Sequence, residues 1–159
     1  MRDFVKICPR ALLVLVGDGP DRENYQLQIT NYKLERNVIL EPWRTDLPSF
    51  YKSFDLFLLS SNYEGWGRVV IEAMASGLPV VMTDVGLAGE VVKNDGNGMV
   101  VPVEDKKALV STLKELVEDS AKRTRLKNAA TKTVLALSPK TQEEYNLLYK
   151  DSFCRCEVI

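Results

Sequence analysis

The stretch from Ser61 to Val81, SNYEGWGRVVIEAMASGLPVV, decides the fold of this chain. An apolar block, Leu56–Leu59, precedes it and is typical of a buried strand. After a glycine-flanked turn, apolar residues recur at helical spacing as far as Gly77. The pattern predicts a strand, a turn and then a helix over Gly67–Ser76, because Gly77 is a natural C-terminal stop.

The start of this predicted helix is suited to an anionic ligand. It follows the carboxyl end of a strand, and its free N–H groups and dipole favour anionic oxygens such as those of a diphosphate. Glu64 precedes the start of this helix and Glu72 follows it. Eight helical residues rise about 12 Å, so the two carboxylates would stand farther apart than the roughly 5 to 9.5 Å that separate the carboxylates of glycosidases. We therefore interpret them as two separate hydroxyl acceptors; the alternative is that Glu64 caps the first turn and Glu72 is a solvated helix residue.

Short apolar blocks alternate with amphipathic segments along the chain, which predicts an α/β fold with a parallel sheet. The predicted strands are Ala11–Val16, Val38–Leu40, Leu56–Leu59, Val80–Met82 and Met99–Val101. The predicted helices are Arg22–Tyr32, Asp46–Lys52, Gly67–Ser76, Gly89–Lys93, Lys106–Glu118, Ala121–Leu135 and Thr141–Lys150.

Composition is that of one water-soluble domain with a real core: 159 residues, 45% of them hydrophobic. The net charge of −1 gives no basis for a nucleic-acid partner. No run approaches the roughly 18 apolar residues that span a bilayer. Three cysteines without any histidine make neither a disulfide framework nor a zinc site. We expect reduced thiols and a cytoplasmic protein.

The quoted stretch resembles the signature of retaining glycosyltransferases with the two-domain GT-B fold, specifically family 4, also called group 1. The mark of that family is two glutamates separated by seven residues, here Glu64 and Glu72. Similarity continues through LLVLVGDGPDRE, NVILEPWRTDLPSFYKSFDLFLLSS and VVMTDVGLAGEVVKNDGNGMVVPVEDKKAL. The resemblance implies a carboxy-terminal, donor-binding domain with a Rossmann-like, doubly wound parallel sheet. A peripheral position at the inner face of the membrane is common in such enzymes.

The resemblance also implies roles for particular residues. Glu64 would contact hydroxyls of the donor sugar and is the candidate catalytic residue, and Glu72 would bind the ribose hydroxyls of the nucleotide. Trp43 and Arg44 would lie close to the nucleobase. Amides of the intervening turn would face the sugar and the diphosphate; these belong to Gly65, Trp66, Gly67, Arg68 and Val69. The family needs no cofactor and generally no metal ion at the diphosphate.

The chain departs from the family pattern in two places. Pro42 stands where glycine is usual, close to the expected base contacts. Leu87 and Ala88 stand where a second adjacent glycine is common, near the expected donor site.

A third difference concerns the first strand of the domain, which the family normally ends with a Gly-Arg loop and which this sequence lacks. In a sheet of order 3-2-1-4-5-6 that strand is central, so we expect an empty central position between two strands with unpaired edges. The expected organisation is an N-terminally truncated nucleotide-sugar-binding domain over residues 1–137. Residues 138–159 would form a helix that packs back on a missing amino-terminal domain.

The implied function is the donor-binding part of a retaining glycosyltransferase. The complete enzyme would transfer a sugar from a nucleotide diphosphate sugar to an acceptor hydroxyl, in the synthesis of a glycan, a glycolipid or a polysaccharide. A glycan or lipid-linked acceptor would bind through the missing domain, so this chain alone should be inactive. The alternative is a noncatalytic nucleotide-sugar-binding module or subunit.

Overall fold

The computed structural model describes residues 1–137, which form an α/β domain. The helix predicted over Thr141–Lys150, and the unit predicted over residues 138–159, lie outside the described residues. The strands are β1 (Leu13–Val16), β2 (Val38–Glu41), β3 (Phe57–Leu59), β4 (Val80–Thr83) and β5 (Met99–Val101). The helices are α1 (Arg22–Asn31), α2 (Leu47–Tyr51), α3 (Arg68–Ala75), α4 (Lys106–Glu118) and α5 (Ser120–Leu137).

A three-stranded parallel sheet, ordered β3-β4-β5, carries the larger core. All four residues of β4 are buried, as expected for a strand covered on both faces. Val80 and Met82 face a core that includes residues of α3 and α5. Val81 points to the opposite face, where it packs with Leu116 of α4 and Leu126 of α5. The alternation of β4 therefore anchors helices on both sides of the sheet.

A second, two-stranded sheet joins β1 to β2, also in parallel. Its small core contains Ile29 of α1 together with Leu34 and Val38. The Asn37 side chain donates to the carbonyl oxygens of Pro9 and Ala11 at 2.9 and 2.8 Å. Since the Ala11 carbonyl is used in this way, the strand begins at Leu13 instead of Ala11.

The two sheets are not hydrogen-bonded to each other in the described part of the chain. The break falls between β1 and β3, where the sequence predicts an empty central position. All strand pairings are parallel, and the fold is that of a Rossmann-like half. The carboxyl ends of β3 and β4 lead into the loops that carry the candidate site.

The helix predicted over Gly89–Lys93 is wrong, because this segment is a compact turn. Gly89 has φ of 76°, outside the right-handed helical region, and the chain turns back after it instead of continuing as a helix. Its N–H donates to the carbonyl of Val92, against the direction of helical hydrogen bonds. Val92 is fully buried, so the apolar spacing reflects a buried loop.

Candidate functional site

The N-terminus of α3 begins at a glycine and has no side-chain cap. Gly67 occupies the N-cap with φ of 68° and ψ of 48°, and no side chain caps the helix. A Cβ at Gly67 would meet Val70 and Leu59 only at 3.6 and 4.0 Å, so the backbone angle, not crowding, requires glycine. Glu64 therefore does not cap the first turn. The first-turn amides keep their capacity to bind a ligand.

Glu64 is fixed by the ends of two strands. Ser61 Oγ donates to Glu64 Oε1 at 2.8 Å. Thr83, the last residue of β4, in turn donates its hydroxyl to the Ser61 carbonyl at 2.6 Å. Gly86 lies so close that a Cβ there would stand 3.2 Å from the Cβ of Glu64. The half-buried carboxylate thus has a defined position beside the start of α3.

Glu72 is fixed by a residue from another helix. The Tyr51 hydroxyl, at the end of α2, donates to Glu72 Oε2 at 3.3 Å. Burial of Tyr51, followed by the negative charge of Glu72, raises the pKa of the phenol to about 12. The Tyr51 residue is only 8% exposed. Glu72 is half-buried and hydrogen-bonded, unlike the solvated helix residue of the alternative interpretation.

Trp43 and Arg44 occupy different environments although they are adjacent. Trp43 is 68% exposed, while its backbone N–H donates to Asp18 Oδ2 at 2.8 Å. Arg44 donates through Nε and NH2 to both carboxylate oxygens of Asp46, at 2.8 and 2.7 Å, and its guanidinium lies 4.5 Å from the Phe50 ring centroid. The hydrogen bonds that Arg44 donates to Asp46 raise the pKa of its guanidinium. The guanidinium of Arg44 is therefore bound to Asp46, whereas the indole of Trp43 is exposed to solvent.

The turn between the two glutamates presents exposed groups. Gly65, Trp66, Arg68 and Val69 are exposed, with Trp66 at 64%, while Gly67 is buried. Within residues 1–137 the Arg68 guanidinium makes no hydrogen bond or ion pair. An unpaired cation in the first turn of a helix adds to the positive potential of the free amides.

The Gly17–Pro20 turn has a structural role. Arg22 donates to the carbonyls of Gly17 and Leu40, both at 3.1 Å. Asp18 accepts from the Trp43 amide. These contacts hold the loops after β1 and β2 together, and so position Trp43.

Sequence reasoning missed Ser61, Thr83 and Tyr51 as supports of the two glutamates. Ser61 had a local signal, because a hydroxyl three residues before a carboxylate can reach it within one loop. Tyr51 had none, since it lies 21 residues from Glu72. Neither glutamate lines the cavity of about 510 Å³ at the carboxyl ends of β3 to β5, whose walls include Asn62 and Glu104.

The described residues contain no group of three or more histidine, cysteine, aspartate or glutamate side chains that could hold a metal ion. Among them, no helix combines the length and the apolarity needed to cross a membrane.

Comparison with known proteins places these features in a family. Residues 2–133 match the family described as glycosyl transferases group 1. The UDP-Gal:alpha-D-GlcNAc-diphosphoundecaprenol alpha-1,3-galactosyltransferase of Escherichia coli is 30% identical over 132 residues, which cover 80% of this chain and 33% of the relative. The chain thus spans about a third of the length of that relative.

Solved structures share the fold. HepE of Anabaena, in complex with UDP-glucose, has a TM-score of 0.79 and 28% identity, over 94% of this chain and 44% of that one. The C-terminal domain of a group 1 glycosyl transferase, LpcC from Francisella tularensis, has a TM-score of 0.76 and 24% identity, over 85% of this chain and 73% of that domain.

Proposed function

Because the chain belongs to the glycosyl transferases group 1 and has the fold of their carboxy-terminal, GT-B-type domain, we propose that it is the donor-binding part of a retaining glycosyltransferase of family 4. The donor is a nucleotide diphosphate sugar, and the acceptor is a hydroxyl of a glycan or a lipid-linked saccharide. Such a reaction belongs to polysaccharide or glycolipid assembly, at the cytoplasmic face of a membrane.

One observation carries this proposal: the uncapped N-terminus of α3 lies between two carboxylates that other residues hold in place. Ser61 holds Glu64 before the helix, and Tyr51 holds Glu72 within it. A nucleotide sugar has the matching order of groups, with sugar hydroxyls, a diphosphate and ribose hydroxyls. We assign Glu64 to the sugar, the α3 amides to the diphosphate and Glu72 to the ribose.

The exposed aromatic side chain of Trp43 completes the assignment. Its indole is open to stacking with a nucleobase, and the adjacent Arg44, whose guanidinium donates to Asp46, orients this loop beside the base. We propose uridine as the base, because HepE was solved with UDP-glucose and the E. coli relative is named for UDP-Gal.

Catalysis in the complete enzyme would rest on electrostatic stabilisation of the departing diphosphate. Positive potential where negative charge develops comes from the amides of Gly65–Val69, from the dipole of α3 and from the Arg68 guanidinium, which has no partner within residues 1–137. Such a site needs no metal ion to neutralise the diphosphate. We therefore expect donor binding to persist in the presence of a chelator.

Calorimetric titration of UDP, GDP and ADP into the chain tests this function. UDP should bind, with and without chelator, and Glu72→Gln should weaken UDP about tenfold or more, since it removes a charged hydrogen-bond acceptor worth roughly 1.5–3 kcal/mol. Glu64→Gln should weaken UDP-sugars more than UDP. Glu23→Gln, an exposed carboxylate in the first turn of α1, is the matched control.

Equal affinity of the Glu72→Gln variant for UDP would contradict the assignment of Glu72 to the ribose. If no nucleotide binds the folded chain, the proposed donor site is wrong, and only the family and the fold remain.

A further inference from the structure

The cavity of about 510 Å³ at the carboxyl ends of β3 to β5 is lined by none of the residues assigned to the nucleotide sugar. Two buried residues line it, Thr83 at the end of β4 and Val101 at the end of β5. Ser60 and Asn62, which follow β3, and Glu104, which follows β5, are exposed lining residues. The volume of the cavity falls within the range of about 300–1,000 Å³ that is typical of small-molecule sites.

The cavity adjoins the sugar end of the proposed donor site. Ser61, whose hydroxyl donates to Glu64 at 2.8 Å, lies between Ser60 and Asn62 in the chain. Those two neighbours of Ser61 line the cavity, whereas the residues assigned to the base and the ribose do not. A ligand in the cavity would therefore lie beside the donor sugar and away from the nucleoside.

The polar groups of the cavity suit hydroxyl groups. Asn62 Nδ2 donates to Glu104 Oε1 at 3.3 Å, which joins the loops after β3 and β5. The second carboxylate oxygen of Glu104, the hydroxyl of Ser60 and the ammonium of Lys106 have no partner within residues 1–137. Donors and acceptors are thus both available, and a sugar hydroxyl uses both because it donates one hydrogen bond and accepts others.

The same lining disfavours other classes of ligand. Two carboxylates, of Glu104 and Asp105, outnumber the one ammonium of Lys106, so an anion would meet net negative charge. Asp105 Oδ1 also accepts from the Ala108 N–H at 2.9 Å and so caps the start of α4. No aromatic residue of the described range lines the cavity, so a nucleobase would find no ring to stack on. Within that range no cluster of side chains offers the ligands of a metal ion.

We propose that this cavity binds one neutral hexose unit of the acceptor saccharide, next to the donor sugar. The hexose hydroxyls exchange hydrogen bonds with Ser60, Asn62 and Glu104. Val101 and the half-buried Leu109 provide apolar surface for the C–H face of the ring. The term acceptor rests on the function proposed above, whereas the binding of a hexose in the cavity does not.

The backbone of Glu104 agrees with a binding role. Its φ of 63° lies in the left-handed region, which glycine adopts freely and a glutamate adopts at a cost in stability. This residue therefore lowers stability while it places a carboxylate at the cavity. Such costs are typical of residues in binding sites.

Nuclear magnetic resonance of the whole isotope-labelled chain tests the proposal. The probes are the neutral methyl glycosides of α-glucose, α-galactose and N-acetyl-α-glucosamine. At least one should shift the backbone amide signals of Asn62, Thr83 and Glu104 along a common saturation curve and leave that of Glu72 unchanged. Inorganic phosphate should not shift the cavity amides, because their surroundings carry net negative charge.

Variants of Glu104 separate binding from folding. Glu104→Gln should weaken the glycoside about tenfold or more, since it removes a charged hydrogen-bond acceptor. Glu35→Gln changes an exposed carboxylate outside the cavity and is the matched control. Glu104→Gly should weaken the glycoside at least as much without lowering the melting temperature, because a φ of 63° suits glycine.

Titration of UDP into the same chain distinguishes the failure of this proposal from that of the proposed function. UDP binding, with no glycoside shifting the cavity amides at its highest soluble concentration, would overturn the hexose site alone. Glycoside binding without UDP binding would support the hexose site and overturn the function on which the term acceptor rests. Equal glycoside affinity of Glu104→Gln, or shifts centred on Glu64 instead of the cavity, would also overturn the proposal.

Discussion

The phenol of Tyr51 donates a hydrogen bond to Glu72 Oε2 across 3.3 Å, so that α2 fixes a carboxylate of α3. Tyr51→Phe removes this bond and keeps the ring. If Glu72 binds the ribose of a nucleotide, the variant should bind UDP roughly three- to tenfold more weakly, because one hydrogen bond contributes about 1 kcal/mol. Calorimetric titration measures this change.

Tyr25→Phe is the control for that variant, since Tyr25 is an exposed tyrosine of α1. A loss of melting temperature in Tyr51→Phe without any loss of UDP affinity would show that Tyr51 is a packing residue only.

Tyr51 also makes stability depend on alkaline pH. Its pKa is about 12 in the folded protein, against an ordinary value of 10.0, and burial is the main cause. The folded state therefore holds the phenol proton more tightly, and the free energy of unfolding should fall as the pH rises from about 10 toward about 12. Phenolate absorbance during an alkaline titration gives the pKa directly.

The Tyr51→Phe variant should lack the phenol that titrates at a pH of about 12. In Glu72→Gln the pKa of Tyr51 should fall, though not to 10.0, because burial remains. A Tyr51 pKa that is the same with and without the Glu72 charge would mean that the two groups do not interact in solution.

Gly67→Ala should lower the free energy of unfolding by about 1–2 kcal/mol, the cost of placing an L-residue in the left-handed region. Gly65→Ala is a matched substitution two residues away, without positive φ and with no atom within 4 Å of the added Cβ, and should be nearly neutral. Chemical denaturation of both variants measures the difference. Gly67→Asn should cost less than Gly67→Ala, since asparagine tolerates this conformation. Equal stability of the two alanine variants would contradict the left-handed N-cap of α3.

Asp95 joins the turn before β5 to α5. Its Oδ1 lies 3.0 Å from Lys122 Nζ and 2.6 Å from Arg125 NH2. The hydrogen bond from Lys122, then that from Arg125, lowers the pKa of Asp95 below 3.8. A lowered carboxylate pKa contributes stability above the unfolded pKa and loses it as the pH falls through the folded pKa.

Asp95→Asn should therefore lower the melting temperature at neutral pH, with a difference that shrinks below about pH 3.8 and in high salt. Asparagine keeps the left-handed backbone of this position, whose φ is 56°. Asp55→Asn, which removes the charge of an exposed aspartate elsewhere on the surface, is the control variant. A difference between wild type and Asp95→Asn that is constant with pH would show that the ion pairs contribute nothing.

Local chemistry predicted most elements of the fold. The positive φ of Gly67 and Gly77 marks the start and the end of α3, as the sequence indicated. The apolar blocks became strands within a few residues of their predicted bounds. The one described element that failed, Gly89–Lys93, has valines whose spacing suits a helix, but its backbone folds back so that the Gly89 N–H donates to the carbonyl of Val92.

The partners of the site residues could not be predicted in this way. The carboxylate of Asp46 accepts hydrogen bonds from the guanidinium of Arg44. The resemblance implied a position close to the nucleobase for Arg44, but it did not indicate this partner. Such pairings depend on loop conformations that neither periodicity nor motif spacing encodes.

By itself the sequence determined the strand, turn and helix around Glu64 and Glu72, because glycine conformation and apolar periodicity act over a few neighbouring residues. Only the tertiary structure decided what holds these carboxylates. The hydroxyl of Tyr51 reaches Glu72 from 21 residues away, and Thr83 reaches Ser61 from 22. Thr83 meets Ser61 because the parallel strands β3 and β4 bring their carboxyl ends to one edge of the sheet, whatever the distance along the chain. Tyr51 meets Glu72 because α2 and α3 bury residues in the same core.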